Sequence, residues 1–229
     1  MDFGIVFQHI GLYIKGLGVT LQLVVGALVL GLGLALPLAV LRTARHPLLW
    51  APAWGYIYFF RGTPLLVQMY LLYYGAGQFQ VGGWVWTFLK DAHICALIAF
   101  SFNTAAYTAE ILRGALQTIP TGEIEAARAC GMSSWTVLRR ILLPSACRRA
   151  LPAYGNEVVF MLHGSAIAGC ITITDLTGAA RLVNARYYVP YEAFLTAAAF
   201  YMAVTFLVVW GIKRLEKRWL AHLQRDEDR

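Results

Sequence analysis

The stretch GLGVTLQLVVGALVLGLGLALPLAVL, Gly16 to Leu41, decides how the rest of this chain is read. It carries no charge over 26 residues, between Lys15 and Arg42. About 20 apolar residues in a helix suffice to cross the hydrocarbon core of a bilayer, so this run is a spanning helix with room to tilt. Within it Ala27, Gly31, Ala35 and Ala39 recur every four residues and place small side chains on one helix face. Lipid gives helices little apolar drive to associate, and such a stripe lets two backbones approach closely instead. Pro37 is expected to kink the far end of this helix.

The neighbouring sequence repeats the pattern. Further apolar runs cover Trp54–Gly75, Ala92–Leu112, Leu151–Ile171 and Ala193–Ile212, and Arg61 lies near the start of the first of these. Of the 229 residues 59% are hydrophobic, against about 45–50% in soluble domains. The expected fold class is therefore an all-α integral membrane protein with five transmembrane helices in one bundle. The spanning domain is placed at 15–215, after an outer N-terminal segment 1–14 and before a cytoplasmic tail 216–229. Asp2 stands where a signal peptide would be basic, and the first apolar run is too long for a signal core, so it is expected to remain as an anchor.

Lysine and arginine set the orientation. If the loop after the first span (Arg42, Arg45) is inside, 15 basic residues fall inside by alternation, and only Lys15, Lys90, Arg181 and Arg186 fall outside. The inner set includes Arg61, Arg113, Arg128, Arg139, Arg140, Arg148, Arg149 and the six of the tail from Lys213 to Arg229. The bias puts the N-terminus outside and the C-terminus inside. It also accounts for the net charge of +7 without any nucleic acid. Trp50, Trp54, Trp84, Trp86, Tyr187, Tyr188 and Trp219 fall near the interfaces, as aromatic belts do.

Cys95, Cys130, Cys147 and Cys170 are scattered, with no paired spacing and no histidine at ligand distance, so neither a zinc site nor a disulfide framework is expected. No G-x-x-x-x-G-K-[ST] occurs, so the chain has no P-loop of its own to cradle ATP. H-E-x-x-H and G-x-S-x-G are also absent, which argues against a membrane enzyme. A self-sufficient channel or ion-coupled carrier is the other rival.

The longest inner loop contains EAARACGMSSWTVLRRILLP, Glu125 to Pro144, which reads as two short helices. Thr121 is placed to cap the first, with Glu123 and Glu125 in its opening turns near the positive end of the dipole. Gly131 suits a left-handed stop, Ser133 or Ser134 can cap the second helix, and Pro144 is expected to end it. Trp135, Leu138, Ile141 and Leu142 would form its apolar face. Two uses fit: insertion into a partner's groove, or an amphipathic hairpin lying on headgroups.

Glu157 lies about six residues into the fourth span, roughly 9 Å past its inner end at 1.5 Å per residue. A charge at that depth faces a cavity or a partner. With Asn156 beside it, it can hold the cationic group of an amino acid, or it can form a buried ion pair with Arg61 or a loop arginine. Asn103, Tyr107 and Glu110 follow at i, i+4 and i+7 on the third span and can line the same path, although Glu110 is also spaced to pair with Arg113. His163 suits a hydrogen-bonded packing role. The outer stretch Asp175–Phe194 is expected to hold a short helix capped near Asp175 or Thr177, as a docking platform or a plain connector.

Glu125-Ala126-Ala127, three residues, Gly131, nine residues, then Ile141-x-Leu143-Pro144 resembles the EAA motif of ABC importer permeases at every defined position. FFRGTPLLVQMY (Phe59–Tyr70), NTAAYTAEILRGAL (Asn103–Leu116) and LPAYGNEVVFMLH (Leu151–His163) resemble signatures of the polar amino acid permeases. Met161-Leu162-His163 and the tail Leu215–Trp219 are most like the M-type permeases of histidine/lysine/arginine/ornithine importers and the opine permeases. His163-Gly164 stands where many members carry Lys-Asp, which weakens the transfer of roles at those two positions.

The resemblance implies the type I ABC importer permease (MetI-like) fold in a bacterial cytoplasmic (inner) membrane. It implies that segment 121–145 is a coupling helix, docking an ABC ATPase dimer through Glu125, Ala126, Ala127, Gly131, Ile141, Leu143 and Pro144. A second permease subunit, identical or homologous, and a periplasmic or extracellular substrate-binding protein complete the assembly. ATP and Mg would be bound by the ATPase, with no cofactor in this chain. The substrate class implied is basic amino acids or opines, at Glu157, Asn156, Asn103 and Tyr107, and the matching Asn-Glu lines the intramembrane cavity of that family.

Overall fold

The computed structural model describes residues 3–44, 46–75, 78 and 88–219. Arg45, Trp84, Trp86, Arg225 and Arg229, which entered the charge and aromatic expectations, lie outside the described residues. The described residues form helices joined by short turns, with no strand among them. In order it forms α1 (Gly4–Gln8), α2 (Ile10–Arg42), α3 (Pro47–Gly62), α4 (Leu65–Tyr70), α5 (Ala92–Gln117), α6 (Thr121–Ala129), α7 (Ser134–Val137), α8 (Leu143–Gly164), α9 (Leu176–Tyr187) and α10 (Pro190–Trp219). Of these α2, α5 and α10 are each long and apolar enough to cross a membrane. A fourth crossing is available if the run Ser134–Ile171 is joined to Leu176–Tyr187, which is bent from it by 49°.

The small-residue stripe does what lipid-embedded packing requires. Ala27, Gly31, Ala35 and Ala39 are all buried, and α5 is the principal neighbour of their helix. A side chain on Gly31 would strike the Thr104 methyl and lie 3.1 Å from the Ser101 carbonyl oxygen. The opposite face of α2 stays bare, with Val25 and Val29 more than half exposed. That asymmetry separates a face for helix contact from a face for lipid or a partner. The central helix α5 is then surrounded by α2, α3, α4 and α8.

The expected second span is not one helix. It breaks at Thr63 and Pro64, whose ψ values of 143° and 134° are extended. Proline disfavours the helical conformation in the residue before it and has no N–H to continue the ladder. The freed carbonyls are met by a side chain: Gln68 Nε2 donates to the Phe60 oxygen at 2.9 Å and the Thr63 oxygen at 3.0 Å. After Tyr70 the helix continues as a wide i→i+5 turn, Leu71–Gly75.

Three local expectations about segment 121–145 change. Thr121 does not cap α6; Pro120 takes the boundary position and Thr121 is already helical, without a side-chain cap bond. Pro144 does not end the second helix. From Ser134 the chain runs through a wide turn, Leu138–Leu142, into α8, where Pro144 is the second residue. Proline is tolerated in a first turn, and the widened turn before it leaves room for the ring. Trp135, expected on the apolar face with Leu138, Ile141 and Leu142, is 66% exposed, and the buried residue of this stretch is Val137. Helix α9 is capped by Asp175, one of the two candidates expected, whose Oδ1 accepts from Gly178 N at 2.8 Å.

Gly31→Val should overpack the α2–α5 contact and cost about 1–3 kcal/mol, whereas Gly33→Val, with nothing within 4 Å of an added Cβ, should be near neutral. Thermal denaturation of the detergent-purified protein checks this. Equal melting temperatures for the two variants would contradict the packing account.

Candidate functional site

Glu157 projects from α8 with 7% of its surface exposed. Its Oε1 accepts a hydrogen bond from Thr104 Oγ1 of α5 at 2.8 Å. Thr104 is in turn the side chain that packs on Gly31 of α2. Three helices thus meet at one carboxylate, and no arginine or lysine among the described residues lies within ion-pair distance of it. The alternative of a buried ion pair with Arg61 is not what the structure contains.

Beside Glu157 is a cavity of about 510 Å³. One wall is α8, where Ala153, Asn156, Glu157 and Phe160 follow at i, i+3, i+4 and i+7. The other is α5, with Asn103, Tyr107 and Ile111 spaced by four. Residues three and four apart share a helix face, so two helical faces close on the same space. All four residues expected to bind substrate therefore line one cavity. Its walls are mostly apolar, with Leu65, Phe160 and Met161, and the polar groups are few and clustered. That combination suits a small molecule with an apolar stem and a cationic head.

The four are not equally free. Asn103 Nδ2 donates to the Phe60 oxygen and to Gln68 Oε1, both at 3.1 Å, so its donors are spent on the broken helix. Glu110 does not reach the cavity; Arg113 Nη2 holds it at 2.8 Å and Arg42 Nε at 3.2 Å. The guanidinium of Arg61 lies over the Tyr107 ring, 5.1 Å from its centroid. His163 hydrogen-bonds Thr205 at 3.1 Å, in keeping with a packing role.

Segment 121–145 forms a separate surface. Gly131 has φ +77°, Gly131 N donates to the Arg128 oxygen at 2.9 Å, and Met132 N donates to the Ala127 oxygen at 3.2 Å. This is a Schellman motif, which needs a residue without a Cβ penalty at its left-handed position. Ser133 caps the next helix by accepting from Thr136 N at 3.3 Å. Glu125, Ala126, Gly131 and Pro144 are exposed, Ile141 and Leu143 are half-buried, and Ala127 is buried at the base. Arg149 ties the hairpin to α8 through Glu123 at 3.9 Å.

Sequence reasoning passed over Thr104 and Gln68. Both are polar residues in apolar runs, which is the signal that could have marked them, but Glu157 is 53 residues from Thr104 and Asn103 is 35 residues from Gln68.

Residues 27–221 match the family described as binding-protein-dependent transport system inner membrane component. The chain is 43% identical over 230 residues to the octopine transport system permease protein of Rhizobium radiobacter, covering 100% of this chain and 93% of the relative. It is 42% identical over 217 residues to the histidine/lysine/arginine/ornithine transport system permease protein of Escherichia coli, covering 93% and 91%. The nopaline transport system permease protein of Agrobacterium fabrum is 40% identical over 225 residues, covering 96% and 92%. Among solved structures, an amino acid ABC transporter with histidines superposes at a TM-score of 0.86 and 33% identity, over 95% of this chain and 99% of that one. The methionine ABC transporter MetNI superposes at 0.76 and 21% identity, over 90% and 95%, which shows a shared fold.

Thr104→Val keeps the methyl against Gly31 and removes the donor to Glu157. It should cost about 1–3 kcal/mol, the penalty for leaving a buried acceptor unsatisfied. In a double-mutant cycle with Glu157→Leu, which removes the acceptor at similar size, read by thermal denaturation, the two changes should be coupled by a similar amount. Additive effects would contradict the contact.

Proposed function

The chain belongs to the family of binding-protein-dependent transport system inner membrane components, and we propose that it is the permease subunit of an ATP-driven importer of basic amino acids or opines. The observation that carries the substrate class is Glu157, a buried carboxylate that faces a cavity and has a hydroxyl rather than a cation as its partner. The names of the similar permeases from Rhizobium radiobacter and Escherichia coli support the same class.

In this reading the domain 15–215 crosses the membrane five times, with the N-terminus outside and the C-terminus inside. Broken pieces α3 and α4 together make the second crossing. The tail from 216 stays in the cytoplasm. A substrate-binding protein delivers the amino acid to the outer surface around α9. The hairpin Thr121–Pro144 docks on an ATPase dimer that binds ATP and Mg. A second permease, identical or related, completes the path.

The hairpin's form supports that role. Its turn is held by backbone bonds alone, and small side chains at Ala126 and Gly131 leave a shallow exposed surface. The helical run from Ser134 to Ile171 is continuous, so a push on the hairpin is carried by a stiff element directly to Asn156 and Glu157. ATP-driven closure of the ATPases would rock that element and change access to the cavity.

The carboxylate gives selectivity by charge. Two opposite charges about 4 Å apart gain roughly 4 kcal/mol at an effective dielectric of 20, before desolvation. The net preference for a cationic over a neutral amino acid should be smaller, about 1–3 kcal/mol or roughly 5- to 150-fold.

Two outcomes test the proposal. Glu157→Gln should assemble normally and weaken arginine-stimulated ATP hydrolysis in proteoliposomes that contain the ATPase. A wild-type response to arginine would make the carboxylate merely structural. Ala126→Asp, at an exposed helical position, should leave the fold intact but bury a charge at the docking surface. The variant should lose the ATPase on co-purification or lose substrate-stimulated hydrolysis. Normal behaviour in both assays would leave the hairpin as a lipid-facing element.

A further inference from the structure

An amino acid substrate carries a carboxylate as well as its cationic groups, and the Glu157 cavity offers that carboxylate no positive charge. Among the described residues its lining holds one carboxylate, two side-chain amides and a phenol, with apolar groups elsewhere. One of the amides, Asn103, already donates to Phe60 and Gln68. A carboxylate brought into this space would find neutral donors in Asn156 and Tyr107 but no counter-charge, and would lie beside the Glu157 carboxylate, which is unfavourable.

The missing charge is next door. A second cavity of about 380 Å³ is lined by Arg42, Trp54, Tyr58, Arg61, Tyr107 and Glu110, among others, and Tyr107 borders both spaces. Arg42 is engaged by Glu110, which also holds Arg113. Arg61 is different. No carboxylate among the described residues lies within ion-pair distance of it, and its guanidinium rests on the face of the shared Tyr107 ring. A guanidinium held by a ring face keeps its edge N–H donors open, and their fork matches a carboxylate.

We propose that Arg61 receives the α-carboxylate of the substrate, so that the two cavities act as one site with Glu157 at the cationic end and Arg61 at the carboxylate end. This assignment rests on the transport of basic amino acids proposed above. The Tyr107 ring is the partition across which the molecule lies, and Asn156 and the Tyr107 hydroxyl remain for the α-ammonium group. Selection is then two-sided. Glu157 rejects neutral side chains, and Arg61 rejects amines that lack the carboxylate.

The test is equilibrium binding of radiolabelled arginine to the complete transporter in nanodiscs, without the substrate-binding protein. The competitor is agmatine, which is arginine without its carboxylate. Wild type should hold arginine about 10- to 150-fold tighter than agmatine, the range of one hydrogen-bonded charge contact. Arg61→Gln should weaken arginine to near the agmatine level and leave agmatine within about threefold of its wild-type value. Equal affinities for the two compounds in wild type overturn the assignment without any variant, and so does an Arg61→Gln that weakens both alike. If Arg61→Gln fails to assemble, Arg61→Lys keeps the charge but not the fork and should narrow the ratio; an unchanged ratio there overturns the assignment. Glu157→Gln separates the two levels. It should weaken both compounds, and if it weakens neither, the basic-substrate reading fails, whereas sensitivity to Glu157 alone removes only the role of Arg61.

Discussion

The close approach of α2 and α5 at Gly31 and Thr104 is the constraint from which the site follows. In lipid this contact cannot be driven by excluding water from apolar surface, so it depends on shape, and shape here means the absence of a side chain at Gly31. With Thr104 pressed against that backbone, its hydroxyl is aimed at α8 and meets Glu157 at 2.8 Å. The carboxylate is thereby oriented without an ion-pair partner. An arginine partner would have fixed it as firmly but would have cancelled the charge a cationic substrate needs. A hydroxyl supplies direction and leaves the field.

A second constraint complements the first. The break at Thr63 and Pro64 frees carbonyls inside the membrane domain, where unsatisfied backbone groups are expensive. Gln68 and Asn103 meet that cost with a connected network, Gln68 binding the Phe60 and Thr63 oxygens and Asn103 binding Phe60 and Gln68. The same Asn103 forms part of the cavity wall. The break also sets Arg61 at the end of α3, one residue before its last, with its guanidinium over Tyr107. Irregular backbone and candidate site therefore coincide, as expected where non-helical structure in a membrane lines a cavity.

Much of this was open to a reader of the sequence, and the rest was closed for physical reasons. The stripe Ala27–Ala39 and the asymmetric burial of α2 follow from period and residue size. Local chemistry likewise foretold the left-handed Gly131, the cap at Ser133 and the cap at Asp175. Two local rules failed because a neighbouring turn relieved them. Pro144 continues a helix since a widened turn precedes it, and Thr121 yields its capping place to Pro120. Helix spacing put Asn103 and Tyr107 on one face, and adjacency put Asn156 beside Glu157; that the two sets could line one path was an expectation, and both line the same cavity. The hydroxyl of Thr104 acts on Glu157, 53 residues on, and the Gln68 oxygen accepts from Asn103, 35 residues on, and no local pattern names such partners.

The central claim is that Glu157 meets the cationic group of the substrate within the membrane domain. A structure of the assembled transporter with bound arginine tests it most directly. The account expects a guanidinium or ammonium nitrogen about 2.7–3.2 Å from a Glu157 carboxylate oxygen, at hydrogen-bond distance. Ligand density whose nearest cationic nitrogen lies more than about 6 Å from both Glu157 oxygens, beyond even a single bridging water, would contradict it.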